Sequence, residues 1–107
     1  MRKHTVVVRG LVETCQVNCL VDTGSQATLV NLSLVKDLRL EQSIRKTTCV
    51  LSSFTKEKIT TAGEINLNLT IAGVRASHSC IVVSEEMECN ILLGMDFLSR
   101  NDISIPC

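Results

Sequence analysis

The residues of this chain best suited to chemistry are Asp22-Thr23-Gly24-Ser25, which lie between two apolar runs. Cys19-Leu20-Val21 delivers the carboxylate into a sharp turn, and Ala27-Thr28-Leu29-Val30 carries the chain away. Flanked by residues that favour burial, Asp22 cannot sit among them as a lone ion. A buried carboxylate must be hydrogen-bonded, paired, or made to share a proton with a second acid. Gly24 permits close backbone approach with an N–H aimed at the carboxylate, and the Thr23 and Ser25 hydroxyls can donate or accept locally. Asp-Thr-Gly is also a common turn between strands, so its surroundings decide whether it is a site.

The elements that must position it read as strands. Thr5-Val6-Val7-Val8 is a β-branched run stopped by Gly10. Cys15 to Val21 alternates and then turns apolar as it nears Asp22, so the two runs predict a hairpin feeding the loop. Ala27 to Val30 reads as a third strand. Asn31 or Ser33 can cap a short helix ending about Leu38, with Leu34, Val35 and Leu38 on one face. Val50 to Thr60 sets Leu51, Phe54 and Ile59 among polar residues, as a mobile hairpin would. Ala62-Gly63 breaks the chain before Glu64 to Ile71, where every odd residue is apolar and every even one polar, the pattern of a half-buried strand. Ala72-Gly73 turns it back into an antiparallel partner, Val74 to Val83. Ser84 to Glu88 is a charged surface loop, Asn90 to Leu93 an inner strand, Met95 to Arg100 a helical turn or two, and Asp102 to Ile105 a final strand. Short strands with glycine turns and one or two small helices argue a compact all-β barrel.

Composition narrows the class. The 107 residues suffice for one domain with a modest core. That core must be aliphatic, because Trp and Tyr are absent and Phe54 and Phe97 are the sole aromatics. Lys+Arg and Asp+Glu balance at 11 each, which gives no net field toward nucleic acid or a membrane surface. No apolar run approaches the roughly 20 residues of a spanning helix, and Met1-Arg2-Lys3-His4 precedes no signal-like apolar stretch. The six cysteines, Cys15, Cys19, Cys49, Cys80, Cys89 and Cys107, form no Cys-x2-Cys pair. With only His4 and His78 to join them, no metal spacing arises. Cys19 and Cys80 stand where small hydrophobes would serve, as in a reduced, intracellular protein.

Asp22-Thr23-Gly24 together with the distal Asn90-Ile91-Leu92-Leu93-Gly94-Met95-Asp96-Phe97-Leu98 resembles the retropepsin family of aspartic proteases. The likeness is greatest to the protease domains of retrotransposon polyproteins, with the DNA-damage-inducible ubiquitin-shuttle proteases as a cellular relative, and it extends from Val6 to Ile105. It implies one domain over residues 1–107, an all-β closed retropepsin-like barrel that carries one half-site per chain. It also implies an endopeptidase active as a homodimer on an extended peptide or polyprotein, in the cytoplasm or within a retroelement particle. Neither cofactor nor metal is implied, since water is the nucleophile. The chemistry needs two carboxylates about 3 Å apart sharing one proton. Asp37, Asp96 and Asp102 lack the Thr-Gly that would hold a second one, so it must come from Asp22 of another copy across a two-fold axis.

Residue by residue, the resemblance makes Asp22 the catalytic carboxylate and Thr23 a cross-link to the partner's loop. Gly24 offers close approach and a carbonyl for substrate. Ser25 stands where a hydroxyl can bond the aspartate, favouring its ionised form, and it is counted with the substrate-binding residues. Ile91-Leu92-Leu93-Gly94 packs around the loop, with Leu92 toward substrate. Ser53 and Phe54 stand at the turn of the substrate-covering flap, which holds no glycine from Val50 to Ile59. Gln26 and Met95 replace the acid and arginine that many viral members pair, and the terminal Asp102 to Cys107 is short for an interleaved dimer strand. A retropepsin-like fold kept only for dimerisation or protein binding is the alternative, and an unrelated β-barrel with a chance motif the third reading.

Overall fold

Alternating burial along the chain produces a closed barrel. The computed structural model describes residues 6–46, 61–84 and 87–103. Six strands, β1 (Val6–Val12), β2 (Cys15–Val21), β3 (Leu29–Asn31), β4 (Thr61–Ile71), β5 (Val74–Val83) and β6 (Ile91–Leu93), close in the order β1-β2-β6-β3-β5-β4. Two six-residue helices, α1 (Leu32–Asp37) and α2 (Met95–Arg100), follow β3 and β6. The all-β barrel with short helices is therefore the observed architecture. No described helix is long and apolar enough to cross a membrane.

The expected period-two strand is the spine of the core. Ile65, Leu67, Leu69 and Ile71 of β4 all point inward and are essentially inaccessible. They meet Val12, Cys19, Val21, Val30, Cys80, Val82, Ile91, Leu93 and Phe97 in one cluster. Ala72 and Gly73 both adopt positive φ, 52° and 80°, as the tight turn between the paired β4 and β5 requires. Asn31 rather than Ser33 caps α1, its side chain accepting from the Ser33 N–H at 2.9 Å. Cys19 and Cys80 are core residues, and burial pushes both thiols up to about 12.

Several boundaries differ from the sequence reading, and β3 spans Leu29–Asn31 rather than Ala27 to Val30. β1 does not stop at Gly10 but runs through it to Val12, because glycine is what fits there. An added Cβ would stand 2.5 Å from Ile71 Cδ1 and 2.9 Å from the Thr70 carbonyl of β4. Ala62-Gly63 does not break the chain: β4 starts at Thr61, and Gly63 (φ 135°) forms an irregularity in its register with β5. Asn101-Asp102, with Asp102 at φ 53°, is a turn after α2 rather than the start of a strand. The flap stretch with Ser53 and Phe54, and residues Ser104 to Cys107, lie outside the described residues.

Candidate active site

Asp22 follows the last residue of β2, where Val21 pairs in parallel with Leu93 of β6. Its N–H continues that ladder by donating to the Leu93 carbonyl at 3.0 Å. The strands thus place the residue, and the turn places its carboxylate. Gly24 N–H donates to Asp22 Oδ1 at 2.9 Å, and Ser25 N–H to the Asp22 carbonyl at 3.1 Å. Asp22 is 5% exposed, while Thr23 and Gly24 beside it are exposed. A buried acid therefore lies beside an exposed turn.

The second half of the loop is docked on β6 and α2. Gly94 lies against Ala27 so closely that an added Cβ would come within 2.4 Å of the Ala27 carbonyl oxygen. The first N–H groups of α2 lack helical acceptors, and the loop supplies them. Met95 N–H donates to the Ser25 carbonyl at 2.8 Å and Asp96 N–H to the Gln26 carbonyl at 3.2 Å. Backbone bonds thus tie the loop to the start of α2, where Gln26 and Met95 offer no ion pair.

A buried polar network completes the docking. Thr28, fully inaccessible, donates its hydroxyl to Asp96 Oδ1 at 2.7 Å and its N–H to Oδ2 at 3.3 Å. Its Oγ1 accepts the Gly94 N–H at 3.1 Å. His78 reaches Asp96 Oδ2 from β5 through Nε2 at 2.8 Å, and its ring meets Phe97 edge-on at 5.2 Å. Burial pushes the Asp96 carboxyl upward, but hydrogen bonds from His78 and Thr28, the His78 charge and the Phe97 N–H outweigh it. The net shift is downward from 3.8. Asp96 therefore contributes stability that is present above about pH 4 and lost as pH falls through its lowered folded value. Asp96→Asn should flatten that acid limb of stability and cost about 1–3 kcal/mol at neutral pH. Urea midpoints measured against pH check this, and parallel curves for the two proteins would refute it.

A parallel strand pair ending in an Asp-Thr-Gly turn, locked by a glycine-led helix, is a specific arrangement, and it has known counterparts. Residues 8–100 match the family model described as "gag-polyprotein putative aspartyl protease". The chain belongs to this family. Solved structures agree on the fold. The retroviral protease-like domain of Ddi1 from Leishmania major superposes with a TM-score of 0.74 at 17% identity, covering 94% of this chain and 80% of that one. The protease of EIAV, solved with the inhibitor HBY-793, gives 0.74 at 15% identity over 98% and 95% of the two chains. A retropepsin-like aspartic protease from Rickettsia conorii gives 0.68 at 20% identity over 94% and 74%. No curated protein matches the sequence.

In this aspartyl protease family member, the site residues named from sequence fall as follows. Asp22, Thr23, Gly24 and Ser25 form one loop. The Ser25 hydroxyl donates to the Ala27 carbonyl at 2.8 Å, a bond within the loop. Leu92 stands beside the loop's strands, in register with Leu20 of β2 and Leu29 of β3, on the face opposite the core residues Ile91 and Leu93. Ser53 and Phe54 lie outside the described residues. Thr28, His78 and Asp96 were not singled out by sequence reasoning. His78 alone carried a usable signal, since it lies in phase with Cys80 and Val82 on the inward face of β5.

Proposed function

We propose that this chain is an aspartic endopeptidase that works as a homodimer, each copy supplying one Asp22. The observation that carries the reading is the Asp22 loop: a buried carboxylate held by the Gly24 N–H, at a turn pinned to β6 and α2. One carboxylate cannot be base and acid at once. Asp96 is a poor second, because Thr28, His78 and Phe97 already engage its two oxygens. The partner's Asp22 meets the need.

In this mechanism the ionised Asp22 takes a proton from water as the water oxygen attacks the scissile carbonyl carbon. The protonated aspartate of the other copy donates toward the carbonyl oxygen, giving a neutral tetrahedral diol. Collapse of the diol delivers a proton to the amide nitrogen, and the C–N bond breaks. The two carboxyls share one proton throughout, since like charges so close cannot both ionise. Thr23, exposed on the single chain, cross-links the two loops, and the Gly24 carbonyl and Leu92 contact the substrate. The substrate lies as an extended strand, and Ser53 and Phe54 are assigned to it from the sequence alone. The family description, which names the gag polyprotein, supports a polyprotein as substrate, and in this proposal its processing takes place in the cytoplasm or within a retroelement particle.

A second reading, a dimerisation or protein-binding module without useful catalysis, is favoured by the glycine-free stretch from Val50 to Ile59. A peptide library presented at acid to neutral pH, with and without a pepstatin-type inhibitor and alongside sedimentation, separates the two. Inhibitor-sensitive cleavage by a dimer is expected. A folded dimer that cuts nothing would establish the binding module instead.

A further inference from the structure

We propose that His78 is a positioning residue for the active loop, holding Asp96 so that Asp96 can hold Thr28 and Gly94. The loop is pinned to one short segment at both ends. Asp22 N–H bonds Leu93 at its start, and Thr28 bonds Asp96 and Gly94 at its finish. The finish depends on one rotamer of Asp96. That side chain is 34% exposed and has an alternative in water, whereas Thr28 is fully buried and has none. If Asp96 swings outward, a buried hydroxyl and a buried N–H lose their acceptor, and the Gly94 N–H loses a fixed Thr28 oxygen. His78 approaches from a different strand at 2.8 Å and opposes that swing.

The site shows why a histidine stands there. His78 is 4% exposed, on the inward face of β5 beside Phe97, where an aliphatic side chain would fill the space. Its Nδ1 has no hydrogen-bond partner among the described residues. The ring therefore brings one useful polar contact into the core, the bond from Nε2–H to Asp96. A carboxylate can only accept, so Nε2 is the donor of this bond.

Three variants of the full chain test this. His78→Leu fills the volume without a donor. His78→Gln can place an amide N–H near the ring Nε2, and His78→Asn carries the same amide too short to reach. Amide hydrogen exchange at Thr28 and Gly94 is read against the β1–β2 hairpin, and kcat and KM are measured with sites counted by a tight-binding inhibitor. Leu and Asn should speed exchange at both amides about tenfold or more, and Gln should restore protection. They should lower kcat by a similar factor with KM nearly constant, and Gln should recover most of it. Exchange unchanged in His78→Leu, or Gln no better than Asn, would overturn the proposal. Should His78→Leu not fold, the Gln and Asn pair decides alone. Only the kinetic arm rests on the protease reading. If the unaltered chain cleaves nothing, that reading fails, while exchange still decides the role of His78.

Discussion

Asp22→Asn should leave the protein folded and dimeric while lowering kcat by about 10³-fold or more, within or beyond the range of a lost general acid–base pair. The asparagine keeps the shape of the aspartate and an oxygen for the Gly24 N–H at 2.9 Å, so the loop has no reason to move. What is lost is the proton shared between two acids, which no amide can carry. With one proton shared, the pair carries no charge–charge repulsion for the change to relieve, so sedimentation should show that the dimer persists without becoming tighter. Mixing sharpens the result. With chains allowed to exchange, total activity at fixed total protein should follow the square of the unaltered fraction, because a mixed dimer holds one acid only. Activity that falls in simple proportion to that fraction would mean that each chain cuts alone, and the two-chain site would be wrong.

That loop was legible because its signals are local. A turn with glycine directly after an apolar strand says where an acid stands, and the period-two run from Glu64 to Ile71 says which face of β4 is buried. Both readings need only neighbouring residues. Gly10 and Gly63 misled for the opposite reason. Each looked like a stop, yet at Gly10 the glycine is required by β4 crossing over it, with Ile71 Cδ1 and the Thr70 carbonyl in the space of a Cβ. Only the closed barrel reveals that crossing. The Thr28–Asp96–His78 network was missed on the same ground. Thr28 sits in an apolar run, Asp96 looks like an acid in the first turn of a helix, and the two are 68 residues apart. No spacing rule joins a threonine after one strand to an acid after another. A histidine in phase with core residues asks for a partner, but the sequence does not say which.

Gly94→Ala should be a severely damaging change at the point where the Asp22 loop is docked, lowering both stability and activity. Gly94 has φ −94°, which alanine adopts freely, so backbone preference is not the obstacle. Space is. The new Cβ would meet Ala27 at 2.4 Å from its oxygen, 2.6 Å from its carbonyl carbon and 2.9 Å from its nitrogen. All three are backbone atoms and cannot rotate aside, so the loop must move away from β6 and α2. Overpacking of this kind costs about 1–3 kcal/mol or more. In a chain of this size that lowers Tm by about 5–20 °C. Displacement also loosens Met95 to Ser25 and Gly94 to Thr28, two of the bonds that hold the loop bearing Asp22. Activity should therefore fall further than the folded fraction does, which calorimetry and cleavage assays below the transition compare directly. Gly73→Ala is the contrasting case: no atom lies near its Cβ and only its φ of 80° resists, so it should cost about 1 kcal/mol with kcat unchanged. Because the obstacle at Gly94 is backbone, Ala27→Gly cannot relieve it. A double variant that regains activity would show that the side chain of Ala27, not the close packing of the two backbones, sets the position of the Asp22 loop.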